Sequence, residues 1–377
     1  MNYTTIIDQN RDIILQTYED LHQLAEPSWK EEQTSLYLRK RLLEAGLEVR
    51  TFEGHFGFIA EIKGESNKVV ALRADMDALM QEVDGVVKAN HSCGHDAHST
   101  LVLHTALTLA KLEKPKHTYR FIFQPAEEKA EGALQMMKEG ALNNVKFLGG
   151  VHLRPKIEIP YGVASPVILH GSTATLRGTI TGTPAHAARP EEGINPIEVA
   201  SLLIQAVQQV RVRNSKRYSI KITELHSGEA SNLIPETARF TFDLRADSNE
   251  AMDELIGKGQ HTIESIAQVT GATISYNLGE FSPAAIENQE AMKLAQKAIV
   301  ATLGEENFVP TLVSPGAEDF HFYTLKNPNI VATLIGLGCD LTPGLHHPKM
   351  TFNKEALIYG TKILTSLMLE ADQKTWS

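Results

Sequence analysis

The chain has 377 residues, 42% of them hydrophobic and 22% charged. That is room for about two domains with proper cores, and it excludes a disordered or fibrous chain. A formal net charge of −10, with basic clusters only at residues 39–41 and 211–217, argues against nucleic acid as a partner, because neutralising phosphates needs a basic face. The sequence holds no run of about 18 uninterrupted apolar residues, so no membrane contact is expected. The first residues lack the basic start and apolar stretch of a secretory signal. Two cysteines, Cys93 and Cys339, are too few for a disulfide framework, so a cytoplasmic location is expected.

Apolar periodicity predicts helices over about 6–25 and 31–45, the second closed by Gly46. Short β-prone runs follow at 48–52, 58–62 and 69–73, then a helix from about residue 100. A strand at 119–124 ends at Pro125, and a helix at about 132–139 and a strand at 147–152 continue the alternation. Strands alternating with helices predict an α/β layer on a mixed, largely parallel sheet flanked by helices. From about residue 171 the pattern changes to a strand at 173–181, a helix at 196–212, strands at 219–225 and 239–245, a helix at 249–269 and a strand at 273–277. This β-α-β-β-α-β order is that of a compact α+β unit inserted into the first domain. Alternation resumes after residue 288, with a strand at 330–335 and a final helix after Asn353. The expected division is therefore 1–170 with 285–377 as one domain and 171–284 as the insert.

Chemistry concentrates in His91-Ser-Cys-Gly-His-Asp-Ala-His98, where three histidines, a cysteine and an aspartate fall within eight residues. All three side-chain types bind divalent transition metals, although the stretch also suits a polar turn that caps the following helix. Glu127-Glu128, just past a strand, places two diverging carboxylates where one can hold a metal and the other serve as general base. The pair equally suits a helix N-terminus. His152 at a strand end and the loop His346-His347-Pro348 are ambiguous singly. Together, four segments place Cys, His or Glu beside predicted element ends, where α/β sheets gather functional groups.

A series of motifs carries a resemblance. Arg73-Ala-Asp-Met-Asp-Ala-Leu79, the cluster 91–98, Phe123-Gln-Pro-Ala-Glu-Glu128, Gly150-Val-His-Leu-Arg-Pro155, Ala185-His-Ala-Ala-Arg-Pro190, Asn232-Leu-Ile-Pro235, Gly316-Ala-Glu-Asp-Phe320 and His346-His-Pro348 resemble, in order, the signatures of the dinuclear-metal amidohydrolases. That family spans aminoacylase-like, hippurate hydrolase-like and auxin-conjugate hydrolase-like enzymes within the aminoacylase and carboxypeptidase group of metallopeptidases. The resemblance implies two divalent metal ions per subunit, zinc or manganese before cobalt or nickel, held by Cys93, His95, Glu128, His152 and His346. It implies Glu127 as general base and acid, and Asp77 near the site, with Asp96 and His98 steadying the ligand loop. His186 would bind the oxyanion, and Asn232 and Arg245 would lie at the substrate's carboxylate end. It further implies a lid or dimerisation role for the insert, a homodimer, and hydrolysis of a small N-acyl amino acid. A dipeptidase or aminopeptidase on the same metals, or a silent binding protein, are the alternatives. Two departures fall near the substrate: the segment between Ala78 and His91 is shorter than in relatives, and 242–245 reads Phe-Asp-Leu-Arg where many have Gly-Thr-X-Arg.

Overall fold

The computed structural model describes residues 2–213 and 215–376. The chain divides into two compact units, one of residues up to Leu169, Ile286–Ser314 and from Asp319 onward, the other of His170–Ala285 and Pro315–Glu318.

The first unit is built on a seven-stranded mixed sheet. Its centre is four parallel strands in the spatial order His117–Gln124, Ser66–Asp75, Val145–Pro155 and Val331–Leu341. Strands Glu48–Thr51 and Phe58–Ile62 extend one side antiparallel, and the short Ala164–Ser165 closes the other. The central strands are buried on both faces, which explains their continuous apolar runs such as Val69-Val70-Ala71-Leu72. Helix His95–Leu109 is buried along nearly its whole length and packs on Ser66–Asp75 and on the C-terminal helix Ala356–Asp372. No helix among the described residues is long and apolar enough to cross a membrane.

The second unit is a four-stranded antiparallel sheet, ordered Tyr218–Ser227, Thr237–Ala246, Ser172–Thr181, Thr273–Ser282. Helices Pro196–Val207 and Asn249–Thr270 supply apolar side chains to its core, which includes Leu176, Leu203, Phe242 and Leu255.

Two local expectations are corrected, and the segment after Ala78 takes a defined form. The helix expected over 6–25 is two, Tyr3–Gln9 and Arg11–Gln23, broken at Asn10, whose side-chain amide donates to the Ile6 carbonyl at 2.7 Å and competes with the helical ladder. The helix expected to reach residue 212 ends at Val207, with the Arg211 guanidinium donating to the Gln208 and Val210 carbonyls. The connection between Ala78 and His91 is a β-hairpin, Leu79–Val83 with Val86–Asn90. Its turn residues Asp84 and Gly85 both take positive φ, 51° and 82°, the handedness that a two-residue hairpin loop requires.

Phe121 is fully buried in the middle of the central sheet, with Ala60 and Leu72 opposite it on the flanking strands. Phe121→Ala is expected to cost about 3–5 kcal/mol, read as a lower urea midpoint at unchanged slope.

Candidate metal centre

The proposed ligands converge because parallel strands all end on the same edge of the sheet. Asp75 ends one strand and leads to Asp77; Gln124 ends the next and leads to Glu127 and Glu128; His152 lies near the end of the third, and the chain leaving Leu341 reaches His346. The ligand atoms of Cys93, His95 and His152 fall within 4.8 Å of one another, as do those of Cys93, Glu128 and His346, and of His95, Glu127 and Glu128. Six residues singled out in the sequence thus form one cluster in the first unit, with Cys93 common to two of the groups.

The imidazoles are held with a nitrogen facing inward. His95 Nδ1–H donates to the Asp77 carbonyl at 2.9 Å and lies 3.1 Å from Asp77 Oδ1, leaving Nε2 toward the cluster. His152 Nδ1–H donates to the Leu153 carbonyl at 2.7 Å, and its Nε2 lies 3.6 Å from Cys93 Sγ. Both are tautomers suited to a metal. His98 differs. Its Nε2 accepts the Leu153 N–H at 3.0 Å and its Nδ1–H donates to Asp75 at 2.7 Å, so both nitrogens are committed to the scaffold. Asp96 accepts from His22 at 2.6 Å.

Glu127 and Glu128 sit on a single tight turn flanked by left-handed Ala126 and Ala130, both at φ 52°. Asp77 anchors it: Oδ1 accepts the Glu127 N–H and Oδ2 the Glu128 N–H, each at 3.1 Å, while the Ser28 hydroxyl adds a third bond at 2.7 Å. Glu31 Oε1 accepts the Ala126 N–H at 2.9 Å. The turn closes against Gly132, where a Cβ would lie 1.7 Å from the Pro125 carbonyl oxygen, so only glycine fits. Glu127 Oε1 accepts the Asp319 N–H at 3.3 Å, and Asp319 is itself fixed by Arg73 at 2.7 Å and Gln124 at 2.8 Å.

Two atoms in the cluster, His95 Nε2 and Glu128 Oε1, are buried without a hydrogen-bond partner. Such groups are costly unless something electropositive meets them. The local electrostatics are as strongly perturbed. Burial pulls the His95 imidazole down, but Asp75, Cys93 and Asp77 outweigh it and hold it well above its usual range. Burial, then the Glu128 charge, pushes the Cys93 thiol up, and burial pushes Glu128 up. A thiol, imidazole and carboxylate set of this kind suits divalent transition metals.

In the second unit, His186 and Asn232 come together on a short ladder that pairs His186 with Leu233, and Ala187 N–H donates to the Asn232 carbonyl at 3.0 Å. The exposed His186 ring accepts the Ala188 N–H at Nδ1, 3.1 Å away, so its own proton sits on Nε2. Arg245 lies on a different sheet, Thr237–Ala246, where its guanidinium pairs with Asp243 at 2.9 and 3.2 Å. Glu31, Asp319 and the hairpin residue Gln81 escaped the sequence reading. Asp319 stood in a quoted motif without a role, and Glu31 reads as an ordinary first-turn helix acid.

Clustered thiolate, imidazole and carboxylate donors at the carboxyl edge of a parallel sheet, beside a further glutamate, define a metal-dependent hydrolase. Residues 71–370 match peptidase family M20/M25/M40, and the chain belongs to that family. It is 33% identical over 364 residues to an N-acetylcysteine deacetylase of Bacillus subtilis (strain 168), covering 92% of this chain and 94% of the relative. It is 31% identical over 382 residues to IAA-amino acid hydrolase ILR1-like 2 of Arabidopsis thaliana, covering 95% and 85%. The fold matches the crystal structure of Bacillus subtilis YXEP protein, a dinuclear metal binding peptidase from the M20 family, with a TM-score of 0.84 and 29% identity over 98% of this chain and 99% of that one.

Glu31 generates a pH-dependent prediction. It is fully buried with Oε2 unpartnered, and burial lifts its carboxyl from 4.5 to about 7. A raised folded value means that its contribution to stability is complete below pH about 4.5 and is lost as pH rises through about 7, where the fold must hold a buried carboxylate. The span corresponds to ~3 kcal/mol. Glu31→Gln is therefore expected to raise the melting temperature of the metal-free protein at pH 8 and leave it nearly unchanged at pH 5.

Proposed function

We propose that the protein hydrolyses the amide bond of N-acyl amino acids and similar small conjugates, with two divalent cations, zinc or manganese before cobalt or nickel, as cofactors. The observation that carries this reading is the convergence of Cys93, His95, Glu128, His152 and His346 around buried acceptor atoms without hydrogen-bond partners. Both relatives named above act, by name, on small acylated amino acids or amino-acid conjugates. Cys93, His95 and His152 would hold one cation, and Cys93, Glu128 and His346 the other. When bound, the cations supply Lewis acidity to a substrate carbonyl and to the attacking water.

The remaining steps belong to the chain. Glu127 takes the proton of the attacking water and later delivers it to the departing amine. Its Oε1 is aimed by the Asp319 N–H, and Oε2 lies 3.7 Å from His95 Nε2, inside the cluster. The backbone of both glutamates is fixed by Asp77, so the base and its ligand neighbour keep their spacing through turnover. His186, whose Nδ1 accepts the Ala188 N–H and whose Nε2–H is left to donate, suits a donor to the tetrahedral oxyanion. Asn232 and Arg245 belong to the recognition of the substrate's carboxylate end. The working assembly is a cytoplasmic homodimer in which the inserted unit acts as lid and dimerisation element.

Glu127→Gln is expected to keep both metals and lose about 10²–10⁴-fold in kcat, whereas Glu128→Ala loses metal. Metal analysis of the purified variants beside an N-acetyl amino acid assay checks this, and full activity in Glu127→Gln removes it as the base. Free dipeptides in the same assay are expected to turn over more slowly than N-acyl amino acids.

His186→Ala is expected to lower kcat about 100-fold or more, close to 3 kcal/mol of transition-state stabilisation, at unchanged metal content. If the histidine serves the partner's site, mixing His186→Ala with Glu127→Gln after subunit exchange restores part of the activity. No recovery after proven subunit exchange rules out the trans arrangement.

A further inference from the structure

We propose that Gln81 is a positioning residue for His346, and that through it the hairpin Leu79–Val83 with Val86–Asn90 sets the spacing between Cys93 and His346. This rests on the two-cation reading above. Among the five proposed ligands His346 is the outlier: its side chain is 54% exposed, whereas Cys93, His95 and His152 are buried and the Glu128 side chain is 11% exposed. Packing therefore cannot hold its ring in place. Its backbone is also unusual, with φ at 63°, a left-handed conformation that side-chain-bearing residues avoid. Something must hold the loop in that state.

The hydrogen bonds supply it. The Gln81 Nε2–H donates to the His346 carbonyl at 2.7 Å. The His346 N–H donates to the Ser92 carbonyl at 2.6 Å, so both backbone groups of the ligand are pinned. Gln81 Oε1 accepts from the Ser92 hydroxyl at 2.8 Å and from Asn90 Nδ2 at 3.1 Å, and the same Asn90 amide donates to the Pro348 carbonyl at 3.2 Å. The orientation of the Gln81 amide follows from its partners, since a carbonyl can only accept and must face the NH₂ end. Ser92 directly precedes Cys93. One side-chain amide therefore ties the chain just before one ligand to the carbonyl of another, and those two belong to the same ligand group with Glu128. Partners that orient ligands from outside typically matter about 10–100-fold in metal affinity. The burden falls on one of the two cations, because Cys93, His95 and His152 hold the other without His346.

The test is a zinc titration of chelator-stripped protein against a chromophoric competitor, with wild type, Gln81→Glu, Gln81→Ala and Glu82→Gln compared. Gln81→Glu keeps an acceptor facing Ser92 and Asn90 but sets a charged oxygen against the His346 carbonyl in place of the donor, and Gln81→Ala removes the donor without adding charge. Wild type and Glu82→Gln, altered at the next residue of the same strand, are expected to bind two ions alike. Both Gln81 variants are expected to bind one ion normally and the second about 10–100-fold more weakly. Their turnover of an N-acetyl amino acid should be regained at saturating zinc, and the melting temperature of the metal-free protein should match wild type. Two tightly bound ions in Gln81→Glu overturn the proposal, as does a kcat loss that saturating zinc does not restore. A wild-type protein that takes up no zinc or manganese refutes the two-cation reading itself, a separate result from normal wild-type binding with unaffected variants.

Discussion

The site depends first on one buried carboxylate. Asp77 is sequestered from solvent and receives hydrogen bonds from Ser28, from the backbone of Glu127 and Glu128, and from the His95 ring. Burial alone would raise its pKa, but the His95 bond and charge, followed by Ser28 and the Glu128 N–H, outweigh it and keep the group ionised. A charge placed there without those donors would cost several kcal/mol. With them it becomes a rigid joint between the strand end at Asp75, the ligand helix beginning at His95 and the turn carrying both glutamates. Three elements distant in sequence acquire a common origin, and the spacing of His95, Glu127 and Glu128 follows from it.

Around that joint the charges are deliberately unbalanced. Glu127, Glu128, Asp75 and Asp77 crowd a region in which Arg73 bonds Asp75 and Asp319. Whereas the Cys93 thiol is raised first by burial and then by the Glu128 charge, the raised His95 imidazole records the same surplus. Protons relieve it only partly, because a proton satisfies one acceptor where a divalent ion meets several in fixed geometry. The scaffold histidine His98 stays outside this exchange, since two strands have already claimed both its nitrogens through Asp75 and Leu153.

Much of this was legible from residues alone, and the limits have physical causes. The parallel strands announce themselves because strands covered on both faces must be apolar throughout, and the insert because its alternation changes at residue 171. Cys93, His95 and Glu128 stand out by density beside element ends. The break at Asn10 does not, since one polar residue leaves the apolar periodicity around it intact. Asp84-Gly85 carried a turn signal that a short, mixed-polarity segment obscured. Asp319 acts through its backbone N–H and Glu31 through a bond to a backbone amide, roles that no side-chain pattern encodes. The pairing of Arg245 with Asp243 is likewise a matter of neighbours two residues apart on one face of a strand, visible only once the strand is placed.

The order of the ligands along the chain has a consequence for how such a centre is made. Strand Val331–Leu341 pairs with Val145–Pro155 across the whole intervening insert, and contacts so distant in sequence close late because their loop entropy must be met first. During synthesis from the N-terminus, a chain extended to residue 300 already carries Cys93, His95, Glu128 and His152. It lacks the strand that completes the sheet and the loop that brings His346. On the two-cation reading proposed above, the residues of the two ligand groups would therefore come together at different times, the group containing His346 last.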